Sequence, residues 1–241
     1  MLRDLIDLVL PADCPCGGPG PFCPACQAAL AGPPEPAAPT PAPPGLPPCL
    51  AFGPYDGPLQ RILLAYKERG RRDLAAPLGD RLAIGVARLL ANGPAVLVPV
   101  PSTAAAVRAR RGDHMERLAR RAVGTLRRDG RRATLLRALV ARPRPDSAGL
   151  SAAERAAAAG DAFRVRPGRT GPLRAGLAVV LVDDILTTGS TLAAVADQLR
   201  SVDIPVCGAV VIAATRRRSS PTKACRDPNR QYLSVVNSNR G

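Results

Sequence analysis

In Ala178-Val179-Val180-Leu181-Val182-Asp183-Asp184-Ile185-Leu186-Thr187-Thr188-Gly189-Ser190-Thr191, three local signals point to one site. The apolar run is rich in β-branched residues and sharply bounded, which predicts a strand buried on both faces. Two adjacent carboxylates stand where that strand should end. A small, hydroxyl-rich turn, Thr187, Thr188, Gly189, Ser190 and Thr191, then leads into Leu192-Ala193-Ala194-Val195-Ala196-Asp197-Gln198-Leu199-Arg200, whose apolar positions recur at helical spacing. Strand, turn and helix start together gather free backbone N–H groups and hydroxyls at one point, with the positive end of a helix dipole behind them. Such a turn is a phosphate cradle. Gly189 lets the backbone approach an anion closely or take a positive φ, and Ser190 or Thr191 can cap the helix. Asp183 and Asp184 would repel the phosphate and are costly to desolvate unpaired. They need donors or a cation, and a sugar diol with Mg²⁺ supplies both.

Two other readings compete: a buried strand with a solvated acidic turn, and the acidic strand of a P-loop ATPase. The second requires an upstream Gly-x-x-x-x-Gly-Lys-Ser/Thr, and the only lysines, Lys67 and Lys223, stand in no such context. Residues 180–191 resemble the phosphoribosyl-pyrophosphate (PRPP) binding motif of type I phosphoribosyltransferases. The resemblance implies that Asp183 and Asp184 hold the ribose 2′- and 3′-hydroxyls at the catalytic centre. It also implies that Thr187, Thr188, Gly189, Ser190 and Thr191 hold the 5′-phosphate, with Mg²⁺ accompanying PRPP.

At 241 residues the chain can hold one medium domain with a good core plus small appendages. Aromatics are only 2% of the residues, so Leu, Val, Ile and Ala must build that core. A net charge of +15 favours anionic partners, and both phosphorylated small molecules and nucleic acid qualify. Residues 1–10 carry Leu2, Leu5, Ile6 and Val9 on one helical face, interrupted by Arg3, Asp4 and Asp7, which predicts a short packed helix and not a secretory leader. No segment is long and apolar enough to cross a bilayer. Cytoplasmic residence without membrane insertion is the expectation, and there clustered cysteines point to metal.

Cys14, Cys16, Cys23 and Cys26 form a Cys-x-Cys, six-residue gap, Cys-x-x-Cys pattern with a Gly/Pro turn between the pairs. Two close pairs can wrap four thiolates around one Zn²⁺ and leave no open ligand position, so the site would be structural; free or redox-active thiols are the alternative. Apparent binding energy of ~10–16 kcal/mol would supply most of the folding energy of so short a segment. Residues 31–48 contain nine prolines and read as a semi-rigid, solvated linker. The expected division is residues 1–30 as N-terminal helix and cysteine zinc module, 31–48 as linker, 49–215 as main domain, and 216–241 as a basic tail without order.

Within the main domain, residues 52–55 are a strand candidate and Asp56 caps a helix through Leu59, Ile62, Leu63 and Tyr66. That helix ends in Lys67-Glu68-Arg69, positive as a C-terminus prefers. Residues 74–90 read as a second helix, and 95–102 as an apolar strand running into a Pro-bounded turn. Residues 107–120 are densely basic and open a helix. Residues 135–140 read as a strand, 146–155 as a loop entering a helix capped by Ser151 with Glu154 three residues on, and 205–215 as the last strand. His114 is the only histidine, and a solvated position at a helix start is its expectation. Strands alternating with helices indicate a parallel sheet flanked by helices, with ligand at the carboxyl ends of the strands.

The cysteine module, Val98-Pro99-Val100-Pro101 and Arg110-Arg111-Gly112 narrow the resemblance to the ComF-type competence family, in which a zinc module precedes a phosphoribosyltransferase-like domain. The family's Phe-Asn-Gln after that glycine is replaced here by Asp113-His114-Met115, while Leu150, Arg155, Ala162 and Phe163 echo a later family stretch. The resemblance implies an α/β, type I phosphoribosyltransferase-like fold with a small zinc-ribbon-like module. It also implies pyrophosphate binding by Pro101, Ser102, Arg108, Arg110 and Arg111. The reaction expected of such an enzyme is phosphoribosyl transfer to an unidentified acceptor with release of pyrophosphate. The other expectation is a non-catalytic protein handling single-stranded DNA during uptake, which the scarcity of aromatic stacking platforms disfavours.

Overall fold

A computed structural model of the chain describes residues 13–91, 93–110, 112–142, 162–166, 168 and 177–215. In chain order the described elements are α1 (Pro24–Ala31), β1 (Glu35–Ala37), β2 (Cys49–Ala51), α2 (Gly57–Glu68), a 3₁₀ turn (Arg72–Leu74), α3 (Ala75–Leu90) and β3 (Ala95–Pro99). They continue with α4 (Ala104–Ala109), α5 (His114–Arg128), β4 (Ala133–Leu135), β5 (Leu139–Ala141), β6 (Phe163–Val165), β7 (Ala178–Leu186), α6 (Ser190–Arg200) and β8 (Val206–Ala214).

Six strands form one sheet in the order β1-β2-β8-β7-β3-β4, parallel throughout except for β1 against β2. The apolar run of β7 sits in the middle, because a strand with no polar face must be covered on both sides. Alternation along it divides the core. Val180 and Val182 face α2, α3 and α5, whereas Val179 and Leu181 face α6 and the β5–β6 pair. Gly85 lets α3 lie close on β8, since a Cβ there would fall 2.3 Å from Val210 Cγ1. The α/β class with a parallel sheet flanked by helices is therefore the class that forms.

Several elements depart from the expectation. Residues 31–48 are not a solvated linker: Glu35–Ala37 pairs antiparallel with Cys49–Ala51 as the sheet's edge strand. Pro36 is tolerated there because an edge strand can spare a donor. The predicted strand at 135–140 is two strands. Leu136 N still reaches Leu97 O at 2.9 Å, and the chain then leaves the parallel sheet to pair as β5 with β6. The strand candidate at 52–55 begins earlier, at Cys49, and continues only as isolated bonds from Phe52 N to Ile212 O, from Ala214 N to Gly53 O and from Tyr55 N to Ala214 O. The expected helices at 1–10 and 146–155 and the tail at 216–241 lie outside the described residues. Among the described residues no helix is long and apolar enough to cross a membrane.

Candidate functional site

The parallel register of β3 with β7 sets Pro99 opposite Val182, and Val100 N donates to Val182 O at 3.0 Å. The turn Val100-Pro101-Ser102 therefore leaves the sheet beside Asp183 and Asp184, at the carboxyl end of β3. In an open parallel sheet that is where ligands are received. Asp183 and Asp184 do not end β7 as expected, because that strand stays paired with β8 as far as Leu186.

The two acids differ. Asp184 is buried, and its Oδ2 meets two donors: Lys67 Nζ at 2.9 Å from the end of α2, and His114 Nε2 at 2.9 Å from the start of α5. Asp183 is half-buried, and its Oδ1 accepts the Asp184 backbone N–H at 2.9 Å. Burial, with the Asp184 charge adding to it, holds the Asp183 carboxyl well above the usual carboxylate range. Burial pushes Asp184 the same way, but the His114 hydrogen bond and the Lys67 charge outweigh it and hold that carboxyl below its ordinary value. One acid is thus already neutralised by the fold, while the other still needs a cation, a proton or a ligand hydroxyl.

His114 is not the solvated residue expected of it. Its ring is buried, its backbone carbonyl accepts from Tyr66 Oη at 2.8 Å, and Nδ1 lies 3.4 Å from Ser102 Oγ. Asp113 places it: the Asp113 carboxylate caps α5 by accepting from Met115 N and Glu116 N, which fixes the first helical residue at the strand ends. Lys67 and His114 were both missed as site residues. The available signal was electrostatic, since two buried carboxylates require cationic partners and the chain has only two lysines and one histidine.

After β7, Gly189 takes φ +76° and occupies the N-cap of α6, so Ser190 and Thr191 are the first helical residues and not the cap. A glycine cap has no side-chain oxygen to offer the first-turn N–H groups. Thr187 and Thr188 are exposed, Thr188 Oγ1 and Ser190 Oγ are 3.0 Å apart, and Gly189 itself is buried. What covers Gly189 is the Pro-rich segment: a Cβ there would lie 3.1 Å from both Leu46 methyls and 3.3 Å from Pro39 Cγ. Arg200 ties this segment down by donating to Gly45 O at 2.7 Å.

Pro101, Ser102 and Arg108 line one cavity of about 370 Å³ together with Arg137 and Arg166. Ser102 of its lining is linked to the acids through His114, which touches Ser102 on one side and Asp184 on the other. Arg110 is not among its lining residues and pairs with Glu68 at 3.0 Å; Arg111 lies outside the described residues.

Residues 80–236 match the phosphoribosyl transferase domain family. The chain belongs to that family. No curated protein sequence matches it. Membership in the phosphoribosyl transferase domain family implies a PRPP-using, transferase-like role, and PRPP as substrate.

The matched phosphoribosyltransferase region begins beyond the cysteine cluster, yet the two are packed together. Cys14, Cys23, Cys26 and Leu30 belong to the same apolar cluster as Phe52, Leu59 and Leu63, and as Leu82, Val86 and Leu118 within the matched region. Arg71, just ahead of the matched region, fastens the cysteine segment to the body, donating to Asp13 O at 2.8 Å and Pro21 O at 2.9 Å while Asp73 holds its guanidinium. The four Sγ atoms all lie within 4.8 Å of one another, with edges of 3.3 Å (Cys14 to Cys26), 3.3 Å (Cys16 to Cys23) and 3.6 Å (Cys14 to Cys16). Zn–S bonds of ~2.3 Å in a tetrahedron need edges of about 3.8 Å, so the cluster is positioned to bind a metal ion. Although burial opposes it, backbone N–H groups of Cys16 and Cys23 hold the Cys14 thiol down at about 6. Burial and the bond to Cys14 push Cys26 well up. Such mutual opposition is what a bound cation relieves. Gly18 makes the room: a Cβ there would sit 3.1 Å from Cys23 Sγ and 3.3 Å from Cys16 Sγ.

Proposed function

We propose that this is a ComF-type phosphoribosyltransferase that binds PRPP with Mg²⁺ and transfers its phosphoribosyl group to an acceptor, releasing pyrophosphate. The observation that carries the reading is the β3–β7 register, which sets the Pro101-Ser102 turn beside Asp183 and Asp184, with a helix just beyond whose N-cap is Gly189 and whose first N–H, of Ser190, reaches Thr188 Oγ1 at 3.4 Å.

In this reading the first-turn N–H groups of α6, with Thr187, Thr188, Ser190 and Thr191, take the 5′-phosphate. Asp183 accepts from the ribose diol, and Asp184, already held by Lys67 and His114, sets the distance and charge of its neighbour. Pro101, Ser102 and Arg108 line the cavity proposed to take the pyrophosphate, and Arg110 and Arg111 are proposed to add guanidinium groups, which bind paired phosphates by fork geometry. Displacement at the anomeric carbon passes through an oxocarbenium-like state, so the residues act by positioning and by charge. The donor set fits Mg²⁺: Asp183 offers hard carboxyl oxygens, and a cation there would offset the burial and the Asp184 charge that disfavour its ionised form. Mg²⁺, when bound with PRPP, neutralises charge on the departing pyrophosphate.

The Cys14, Cys16, Cys23 and Cys26 cluster is proposed as a structural Zn²⁺ site, since four protein ligands leave no position for substrate. The proposed division runs from this module (1–30) through the Pro-rich join (31–48) to the phosphoribosyltransferase body (49–215) and a basic tail (216–241). Cytoplasmic residence is proposed with it, since in that compartment clustered thiols such as Cys14, Cys16, Cys23 and Cys26 serve metal binding more often than disulfides.

Calorimetric titration of PRPP with Mg²⁺ into wild type and into Asp183→Asn tests the reading. A full heat in wild type and a reduced one in the variant are expected; equal heats from both would remove the ribose contact. A second reading, single-stranded DNA handling during competence, draws on the net charge of +15 and the basic face of α5. Salt-steep DNA affinity with no Mg²⁺-dependent pyrophosphate release would favour it.

A further inference from the structure

Beyond Ser102 and Arg108, on the β4 side of the sheet, a cavity of about 610 Å³ opens between α5 and β4. Four arginines line it: Arg120 and Arg127 from α5, Arg137 from the β4–β5 turn, and Arg166 from the end of β6. No carboxylate is among its described lining residues. The nearest acid in contact is Glu116, whose Oε1 takes Arg120 at 2.6 Å and whose Oε2 takes Arg137 at 2.9 Å. One carboxylate therefore serves two guanidiniums. Arg127 and Arg166 meet only main-chain oxygens in the described residues, Ala133 O at 2.7 Å and Leu139 O at 3.5 Å. Neutral carbonyls orient a guanidinium but leave its charge uncompensated, and four like charges around one concavity repel unless an anion enters.

We propose that this cavity is a second anion site, adjoining the phosphoribosyl site and sharing Arg137 and Arg166 with its cavity but adding Arg120 and Arg127, which takes a compact ligand carrying contiguous phosphates. The arrangement favours a chain of phosphates over one: the guanidiniums come from three separate elements and surround the space, so several charges must be met at once. Backbone geometry holds them there. Arg166 N donates to Ala138 O at 2.7 Å, which sets Arg166 beside Arg137, and the helical spacing of Arg120 and Arg127 puts both on one face of α5. Val123, Leu135 and Leu136 form an apolar wall large enough for a sugar or base, whereas no aromatic side chain is among the described lining residues to stack successive bases of a strand. Small polyphosphates therefore fit better than single-stranded nucleic acid.

The source of the phosphates, inorganic polyphosphate or a nucleoside triphosphate, is read by titrating tripolyphosphate and ATP separately into wild type already saturated with PRPP and Mg²⁺. Both are expected to bind, ATP more tightly if the apolar wall receives its nucleoside and equally if the phosphate chain alone is recognised. In the exposed double variant Arg120→Gln with Arg127→Gln, affinity for both should fall about tenfold or more, with PRPP affinity and melting temperature retained. Absence of heat in wild type overturns the proposal, as does undiminished affinity in the double variant. Tighter, length-dependent binding of an oligonucleotide that the same variant abolishes overturns the ligand class. The proposal does not rest on the PRPP reading: if PRPP itself gives no heat, tripolyphosphate binding that depends on Arg120 and Arg127 still reports this site alone.

Discussion

His114 Nε2 lies 2.9 Å from Asp184 Oδ2, joining the first residue of α5 to the central strand, two residues before Leu186 ends it. An ionised carboxylate can only accept, so Nε2 carries the proton and Nδ1 is left facing Ser102 Oγ at 3.4 Å. The single histidine thus links the acidic strand end to the turn on the pyrophosphate side, and any movement of one is felt by the other. His114→Ala removes a buried partner but leaves Lys67 on Asp184. A loss of about 1–3 kcal/mol in urea unfolding, with weaker PRPP binding, is expected. Unchanged unfolding would mean that the bond is not made.

The two acids predict opposite responses to the same substitution. Asp184→Asn leaves Lys67 and His114 without their anion and should cost about 2–4 kcal/mol. Asp183→Asn removes a carboxyl that burial and its neighbour disfavour, keeps the acceptor for Asp184 N, and should raise stability at neutral pH while weakening PRPP. The pH signs follow. Asp184, depressed in the folded state, contributes stability above the unfolded value of about 3.9 and loses it as pH falls through its lower folded value. Asp183, raised, contributes fully below about 3.9 and loses that contribution as pH rises through its folded value. Urea midpoints against pH for both variants check this; parallel curves would refute the difference in environment.

Gly18→Ala should lower metal stoichiometry without touching a ligand, because its Cβ would press on Cys16 Sγ and Cys23 Sγ. Elemental analysis of protein purified under reducing conditions should find one zinc per chain in wild type and less in the variant. Since Cys14, Cys23 and Cys26 share a cluster with Phe52, Leu59 and Leu63, chelation should also lower the melting temperature of the whole body. Wild type free of zinc, or melting indifferent to chelator, would sink the structural role.

What the sequence showed and what it hid divide along chain distance. The β7 strand, its acids and the glycine turn were legible because period, burial and chemistry all lie within fourteen consecutive residues. Lys67 was read as a favourable charge at a helix C-terminus and His114 as a helix-start residue. Both readings are locally sound, and neither reveals that α2 and α5 end against the same carboxylate, His114 being seventy positions away in sequence. The Pro-rich stretch misled for a related reason. Composition says that proline cannot donate to a ladder, but an edge strand of three residues does not require it to.

That stretch also reaches the phosphate loop, where Leu46 and Pro39 pack on Gly189. Gly189→Ala meets two obstacles: a positive φ of 76°, which disfavours a Cβ, and methyl groups already at 3.1 Å. Together they should cost about 1–2 kcal/mol and weaken PRPP binding through the displaced loop. The two contributions separate in a double-mutant cycle. Leu46→Ala alone should cost about 1 kcal/mol of buried apolar surface, yet in the Gly189→Ala background it should cost less or stabilise, because it removes the steric half of the problem and leaves the conformational half. Unfolding free energies of the four proteins measure the coupling. Energies that add to within about 0.5 kcal/mol would show that Leu46 does not seat on the loop in solution, and that residues 31–48 do not brace the turn proposed to hold the 5′-phosphate.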